Sequence, residues 1–267
     1  MSLFSHISIG QYYPGSSFLH RMDPRAKILA LPLLIIMGLL ADGPAGYIMA
    51  GGPVVLALLA AGIPPGHFWQ GLRPLWIILL IGLVIQGLTV PGAKLWQWGF
   101  ISVSREGLSL GLLLFYRLSL IIISTMLLTM TTTPLNLTSA LEKLLQPFKK
   151  AGVPAHELAL MMTIALRFIP TLLDEATLIL KAQQARGGSL KRGSLTQRLQ
   201  ALVAFLVPLL AGSLRRADEL ATAMEARCYR GDIQRTRLKQ LRYRPADIAA
   251  LAGLFVLTVA VAAARWK

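Results

Sequence analysis

The chain has 267 residues, 55% hydrophobic and 15% charged, with a mean hydropathy of +0.60. That is too apolar for an ordinary soluble domain and places the chain in a bilayer. Its formal charge of +15 would suit a nucleic-acid partner, but cytoplasmic loops of membrane proteins carry the same basic excess, so the location of the charge decides.

Met1 to Ser17 is polar and lacks the apolar core of a cleavable signal, so the first apolar run is expected to insert as an uncleaved anchor. Asp23 before Pro24 has the form of a helix N-cap followed by proline at the first helical position. The apolar pattern then predicts spans over 28–41, 45–63, 74–90, 108–130 and 245–264. Asp42-Gly43-Pro44, Pro64-Pro65-Gly66 and Pro91-Gly92 punctuate the first three, and 101–106 reads as a linker. Trp69, Trp76, Trp96 and Trp98 lie near the ends of the third span, as in an interfacial belt. Gly107 and Gly111 form a G-x-x-x-G at the start of the fourth, a weak signal of close helix packing. Arg117 lies inside that span, where a charge is costly, and a structural partner within the bundle is the favoured explanation.

From Thr131 the character changes. A short amphipathic helix over 134–150 ends at Gly152-Val153-Pro154. Two long helical patterns follow, each interrupted near its middle by a proline, Pro170 and Pro208. The first ends in Ala185-Arg186-Gly187 and the second in Ala226-Arg227-Cys228, with a basic loop between them and a basic stretch over 230–244 after them. Their apolar halves, 158–173 and 199–214, reach roughly 24 Å at ~1.5 Å per residue, short of a ~30 Å hydrocarbon core. Making both span would also put the basic loop outside, against the positive-inside bias. The expectation is therefore an all-α polytopic membrane protein. It has about five transmembrane helices, four within 1–130 and one in 245–267, and a cytoplasmic region of amphipathic helices over 131–244. With the N-terminus inside, most Lys and Arg lie inside and only Lys94, Arg105, Arg265 and Lys267 outside, so the C-terminus is expected outside.

Autonomous chemistry finds little support. The nearest match to a phosphate-binding loop, Gly188 to Ser194, has serine where lysine is needed. The single cysteine gives no disulfide framework. His6, His20, His67 and His156 form no i, i+4 pair and read as solvated or capping groups, so no metal site is assigned. None of the spans carries a mid-membrane carboxylate that could relay protons. The two arginines are then candidates for contacts. A single arginine at a helix C-terminus is explained by the helix dipole. Twice, each before a small residue that leaves room for a partner, the pattern suggests planar forks matched to acidic cytoplasmic groups.

Residues 9–27, Ile9-Gly10-Gln11-Tyr12-Tyr13-Pro14-Gly15 through Leu19-His20-Arg21-Met22-Asp23-Pro24-Arg25-Ala26-Lys27, together with the paired Ala-Arg-small ends, carry a resemblance over nearly the whole chain. It resembles the transmembrane (T) component of energy-coupling factor transporters, closer to the shared, vitamin-serving type than to the dedicated cobalt or nickel type. The family's X-Arg-X motifs correspond to Ala185-Arg186-Gly187 and Ala226-Arg227-Cys228, with cysteine replacing the more usual glycine. The resemblance implies a non-catalytic cell-membrane scaffold. Two ABC-type ATPase subunits, which carry ATP and Mg, grip the arginine-ended helices, and a separate substrate-capture membrane subunit packs on the same chain. No cofactor belongs to this chain. Pro170 and Pro208 would let the helices change direction, and Met161, Met162 and Met224 would offer adaptable surface to the capture subunit, or simply pack. A stand-alone permease or channel would instead need polar residues converging at mid-membrane. A nucleic-acid binder would need aromatics among the basic residues, and the basic stretch offers only Tyr229 and Tyr243.

Overall fold

The computed structural model describes residues 12–98, 101–188, 194–231 and 241–265. Nearly all of it is helix, as the apolar periodicities predict. The elements are α1 (Phe18–Arg21), α2 (Pro24–Leu40), α3 (Gly43–Ala61), α4 (Pro65–Thr89), β1 (Lys94–Trp98), β2 (Ile101–Ser104), α5 (Arg105–Thr131), α6 (Pro134–Leu145), a 3-10 turn (Gln146–Ala151), α7 (Ala155–Ala185), α8 (Leu195–Ala226) and α9 (Pro245–Arg265). They fall into two compact units. One comprises Gly10–Ala140 with Gln240–Lys267 and the other Leu141–Lys239, the boundary falling within α6.

Several expectations are corrected. α4 begins nine residues before the predicted span, because Pro65 sits at its first turn, where proline costs no hydrogen bond. The stretch read as a linker is half of an antiparallel hairpin, with Trp96 opposite Val103 and Trp98 opposite Ile101. Ser104 ends the hairpin and caps α5, its Oγ accepting from Gly107 N at 3.0 Å. The side chains of Trp96 and Trp98, and residues His6, Lys267 and most of 230–244, lie outside what is described. The prolines do not interrupt the long helices: α7 runs 31 residues through Pro170 and α8 runs 32 through Pro208.

That continuity changes the length argument. Among the described residues, five helices are long and apolar enough to cross a membrane, Gly43–Ala61, Arg105–Thr131, Ala155–Ala185, Leu195–Ala226 and Pro245–Ala264, while the apolar part of α4, Leu75–Thr89, is shorter. The predicted spans share α3, α5 and α9 with this set. α2 has 17 residues. Length alone does not keep α7 and α8 out of the bilayer, and charge placement is the argument that remains.

Small residues and buried methionines build the first unit's core. Met37, Ala41, Ala50, Val54, Leu120, Met126, Leu127, Met130 and Val261 join α2, α3, α5 and α9. α4 and α5 touch at backbone distance: a Cβ on Gly107 would come 2.5 Å from the Gln86 carbonyl oxygen, and one on Gly111 would come 2.9 Å from Leu83. The G-x-x-x-G is therefore a contact seam. Arg117 Nη2 donates to Ala41 O at 3.1 Å, at the end of α2, and lies 3.8 Å from Asp42. It is a structural partner within the bundle.

The N-terminal motif works as a clasp. Asp23 caps α2 through Arg25 N at 2.9 Å. Helix α5 ends with carbonyls lacking intrahelical donors. Tyr13 N donates to Met130 O at 3.0 Å, and the buried Lys27 ammonium donates to Thr131 O and Thr132 Oγ1, both at 3.0 Å. Asp23 N donates to Asp247 Oδ2 of α9 at 3.4 Å. His20 ties the motif to itself, with Nδ1 2.7 Å from Ser17 Oγ and Nε2 2.9 Å from Tyr13 O, so it is neither solvated nor a helix cap.

Candidate functional site

Both arginine motifs are helix C-caps of one design. Arg186 closes α7 with φ −83° and ψ 6°, and Gly187 follows at φ +85°. Gly187 N donates to Gln184 O at 3.0 Å and Gly188 N to Gln183 O at 2.9 Å. Those two bonds define a Schellman motif, which satisfies carbonyls the helix end leaves open. Arg227 closes α8 with φ −90° and ψ 13°, Cys228 N donates to Glu225 O at 2.8 Å, and Tyr229 N donates to Met224 O at 3.0 Å. Cys228 stands at φ +56°, alone among non-glycine residues described here in that left-handed region.

The residue after each arginine is thus small for a backbone reason. It occupies the left-handed position that glycine takes without cost and an L side chain takes at ~1–2 kcal/mol. Crowding is not the cause at Gly187, where an added Cβ would meet nothing within 4 Å. Both arginines are exposed, and neither guanidinium has a hydrogen-bond or ion-pair partner among the described residues.

Two cross-links fix the register of α7 against α8. Arg216 Nη2 lies 2.9 Å from Glu175 Oε2, and Gly212 faces the same carboxylate, where a Cβ would come 2.6 Å from Oε1. Eight residues further along α7, Gln183 Nε2 donates to Ala204 O at 3.1 Å. As the α7 number rises the α8 number falls, so the helices run antiparallel. Arg186 and Arg227 therefore stand at opposite ends of the pair, separated by roughly 26 residues of α7, or ~39 Å of straight helix.

The Arg227 end has a further tie. His156, in the first turn of α7, has Nδ1 3.0 Å from Glu142 Oε1 and Nε2 3.1 Å from the Tyr229 hydroxyl. Read from sequence as a solvated or capping group, His156 instead links α6, α7 and the residue two beyond Arg227. These partners are 14 and 73 residues away, and no sequence spacing indicates them.

Pro170 and Pro208 lie inside α7 and α8 and leave the carbonyls of Leu166 and Ala204 without the usual helical donor. Gln183 supplies one to Ala204. Met161 is 60% and Met162 42% exposed, whereas Met224 is half-buried beside the second cap. A larger apolar surface lies on α8, where no residue is buried. Leu195, Leu199, Val203, Leu206, Leu210 and Leu214 recur at spacings of three and four, and all are exposed. The signal was the same helical periodicity used to place the helix.

Fold and site together define a multi-pass helical membrane protein that presents two exposed arginine caps at the ends of an antiparallel helix pair. The chain belongs to the family described as cobalt transport protein, CbiQ, which matches residues 15–238. It is 50% identical to the energy-coupling factor transporter transmembrane protein EcfT of Acidaminococcus fermentans, over 99% of this chain and 98% of that one. Identity is 46% to the EcfT of Clostridium kluyveri, over 99% of both chains, and 45% to that of Listeria innocua serovar 6a, over 94% and 95%. The resemblance read from the N-terminal motif thus extends over the full chain, which is the transmembrane component of an energy-coupling factor transporter.

Proposed function

We propose that this chain is the scaffold that couples ATP hydrolysis on two bound ABC-type ATPase subunits to movement of a separate substrate-capture membrane subunit. The observation that carries the reading is the placement of Arg186 and Arg227. They are two caps of one design, their guanidinium groups exposed and without partners among the described residues, at opposite ends of one helix pair. The separation of ~39 Å along the pair leaves room for two partner subunits side by side, one at each cap. Each guanidinium enters between acidic side chains of one ATPase, where bidentate contact favours arginine over lysine.

ATP and Mg stay on those partners, and closure of the two ATPases changes the separation of the caps. The Glu175–Arg216 pair and the Gln183–Ala204 bond make α7 and α8 respond together. The apolar stripe of α8 receives the capture subunit, which tips its site inward, and Met161 and Met162 offer further exposed surface nearer the Arg227 end of the pair. Pro170 and Pro208 are the points at which the helices bend during that motion. α7 and α8 lie along the inner membrane face, with the N-terminus inside and the C-terminus outside. The substrate class is a vitamin, in keeping with the N-terminal motif's likeness to the shared type. The family description names cobalt, so a dedicated metal-ion importer is the second reading.

The test is reconstitution of the chain with candidate ATPase and capture subunits in vesicles. ATP-driven vitamin uptake that requires both arginines is the expected result, and uptake of cobalt or nickel alone selects the second reading. A chain that transports with neither ATPase present overturns both.

A further inference from the structure

Two adjoining cavities in the first unit have opposite character. The larger, of about 400 Å³, lies among the first turns of α2, the second half of α3, the end of α5 and the start of α9, and its wall is almost wholly apolar. Lys27 reaches this wall but spends its ammonium on Thr131 O and Thr132 Oγ1, so it leaves the wall apolar. The second cavity, of about 310 Å³, shares Phe18 and Met22 with the first and is lined by Ser16, Arg21, Arg244 and Asp247.

The charges at this second cavity are unequal in availability. Asp247 is 1% exposed, and its Oδ2 accepts from Arg244 N at 3.0 Å and Asp23 N at 3.4 Å, which holds its charge inward. Neighbouring Arg25 is taken up, bonded to Asp23 at 2.9 Å and stacked 4.0 Å over the Tyr243 ring. Arg21 and Arg244 are exposed, and their guanidinium groups have no partner among the described residues. The helix ends around the site, the starts of α2 and α9 and the ends of α3 and α5, belong to one membrane face. A basic recess at an interface, opening beside an apolar slot between helices, is the arrangement that takes a charged lipid headgroup.

We propose that this face holds one anionic phospholipid, its phosphate between Arg21 and Arg244 and one acyl chain in the apolar cavity. A free phosphate would use the basic recess and leave the apolar slot without function. A zwitterionic lipid brings the same phosphate, but its headgroup cation then stands beside the two unpaired guanidinium groups and cancels much of the attraction. The site involves neither α7 nor α8, so it stands independently of the ATPase reading.

The experiment is native mass spectrometry of the full-length chain in mild detergent, with phosphatidylglycerol and phosphatidylcholine added in equal amount. One phosphatidylglycerol is retained in preference to phosphatidylcholine, and Arg21→Gln with Arg244→Gln lowers that retention about tenfold. Gly253 borders the slot, and a Cβ there meets nothing within 4 Å, so Gly253→Leu is a substitution that places bulk at the slot. It lowers retention with both arginines intact, and Ala57→Leu on the α3 wall does the same. Inorganic phosphate at millimolar concentration does not compete. Equal retention of the two lipids, full retention in both slot-filling variants, or displacement by inorganic phosphate each overturns the proposal.

Discussion

The Gln183 side chain on α7 donates to the Ala204 carbonyl on α8, and that carbonyl is the one Pro208 leaves without its helical donor. The carbonyl that Pro208 frees in one helix is therefore held by the other, from a residue three before the arginine cap. An exposed hydrogen bond of this kind contributes ~0.5–1.5 kcal/mol. Gln183→Leu is expected to destabilise the α7–α8 pair by about that amount, read as a lower apparent Tm. In a Pro208→Ala background the helix supplies its own donor, so the same substitution should cost much less. A double-mutant cycle with additive effects rejects the link.

The arginine caps separate two explanations by chemistry. If Arg186 and Arg227 each grip an ATPase, a charge-assisted contact contributes ~1.5–3 kcal/mol, and alanine at one site weakens that subunit's binding about 10- to 150-fold. Single alanine variants are expected to retain one contact, and the Arg186→Ala, Arg227→Ala pair to release both ATPases in co-purification. Lysine restores binding incompletely, because it lacks the planar fork. If the arginines only answer the helix dipole, lysine serves equally and no partner is lost.

Cys228 gives a backbone prediction. At φ +56° it carries a penalty that Gly187 avoids at φ +85°. Cys228→Gly is expected to stabilise by ~1 kcal/mol and Gly187→Ala to destabilise by a similar amount, with ATPase affinity unchanged in both. Thermal unfolding measures the first effect and a binding titration the second. No stabilisation by glycine at 228 means the cap relaxes in solution.

Transport kinetics test the prolines. Pro170→Ala with Pro208→Ala is expected to leave expression intact and slow uptake severalfold, because straight helices follow the ATPases less readily. Initial rates in vesicles at saturating ATP give the answer, and unchanged uptake removes the bends from the mechanism.

The membrane topology is tested with Cys228→Gly as a cysteine-free background. Single cysteines at Gly188 and Lys267 are labelled in intact cells with an impermeant reagent. Labelling at 267 and protection at 188 are expected, and labelling at 188 would place α7 across the bilayer.

Much of this architecture is legible in the sequence because apolar runs bounded by proline and glycine state where helices begin and end. Asp23-Pro24 is a cap that local chemistry alone specifies, and the Schellman motifs were equally readable, since a small residue after the last helical position signals a left-handed turn. In sequence alone the same small residue fits room for a partner equally well. The hairpin over 94–104 was missed although Leu95, Trp96, Trp98, Ile101 and Val103 are strand-forming residues around a glycine. Gln183, His156 and Tyr229 could not be read at all. Their partners are defined by how α7 and α8 align, and nothing local sets that register.

The contact between Asp23 and Asp247 joins residues 224 positions apart. The clasp around residues 13–27 emerges early from the ribosome, its α5 partners about a hundred residues later, and its last ligand only with α9. Insertion thus begins with the half of a joint that the final helix completes. A chain stopped before residue 245 would keep Asp23 beside the buried Lys27 but lack the Asp247 carboxylate, so the ammonium would sit inside the bundle with only part of its compensating charge.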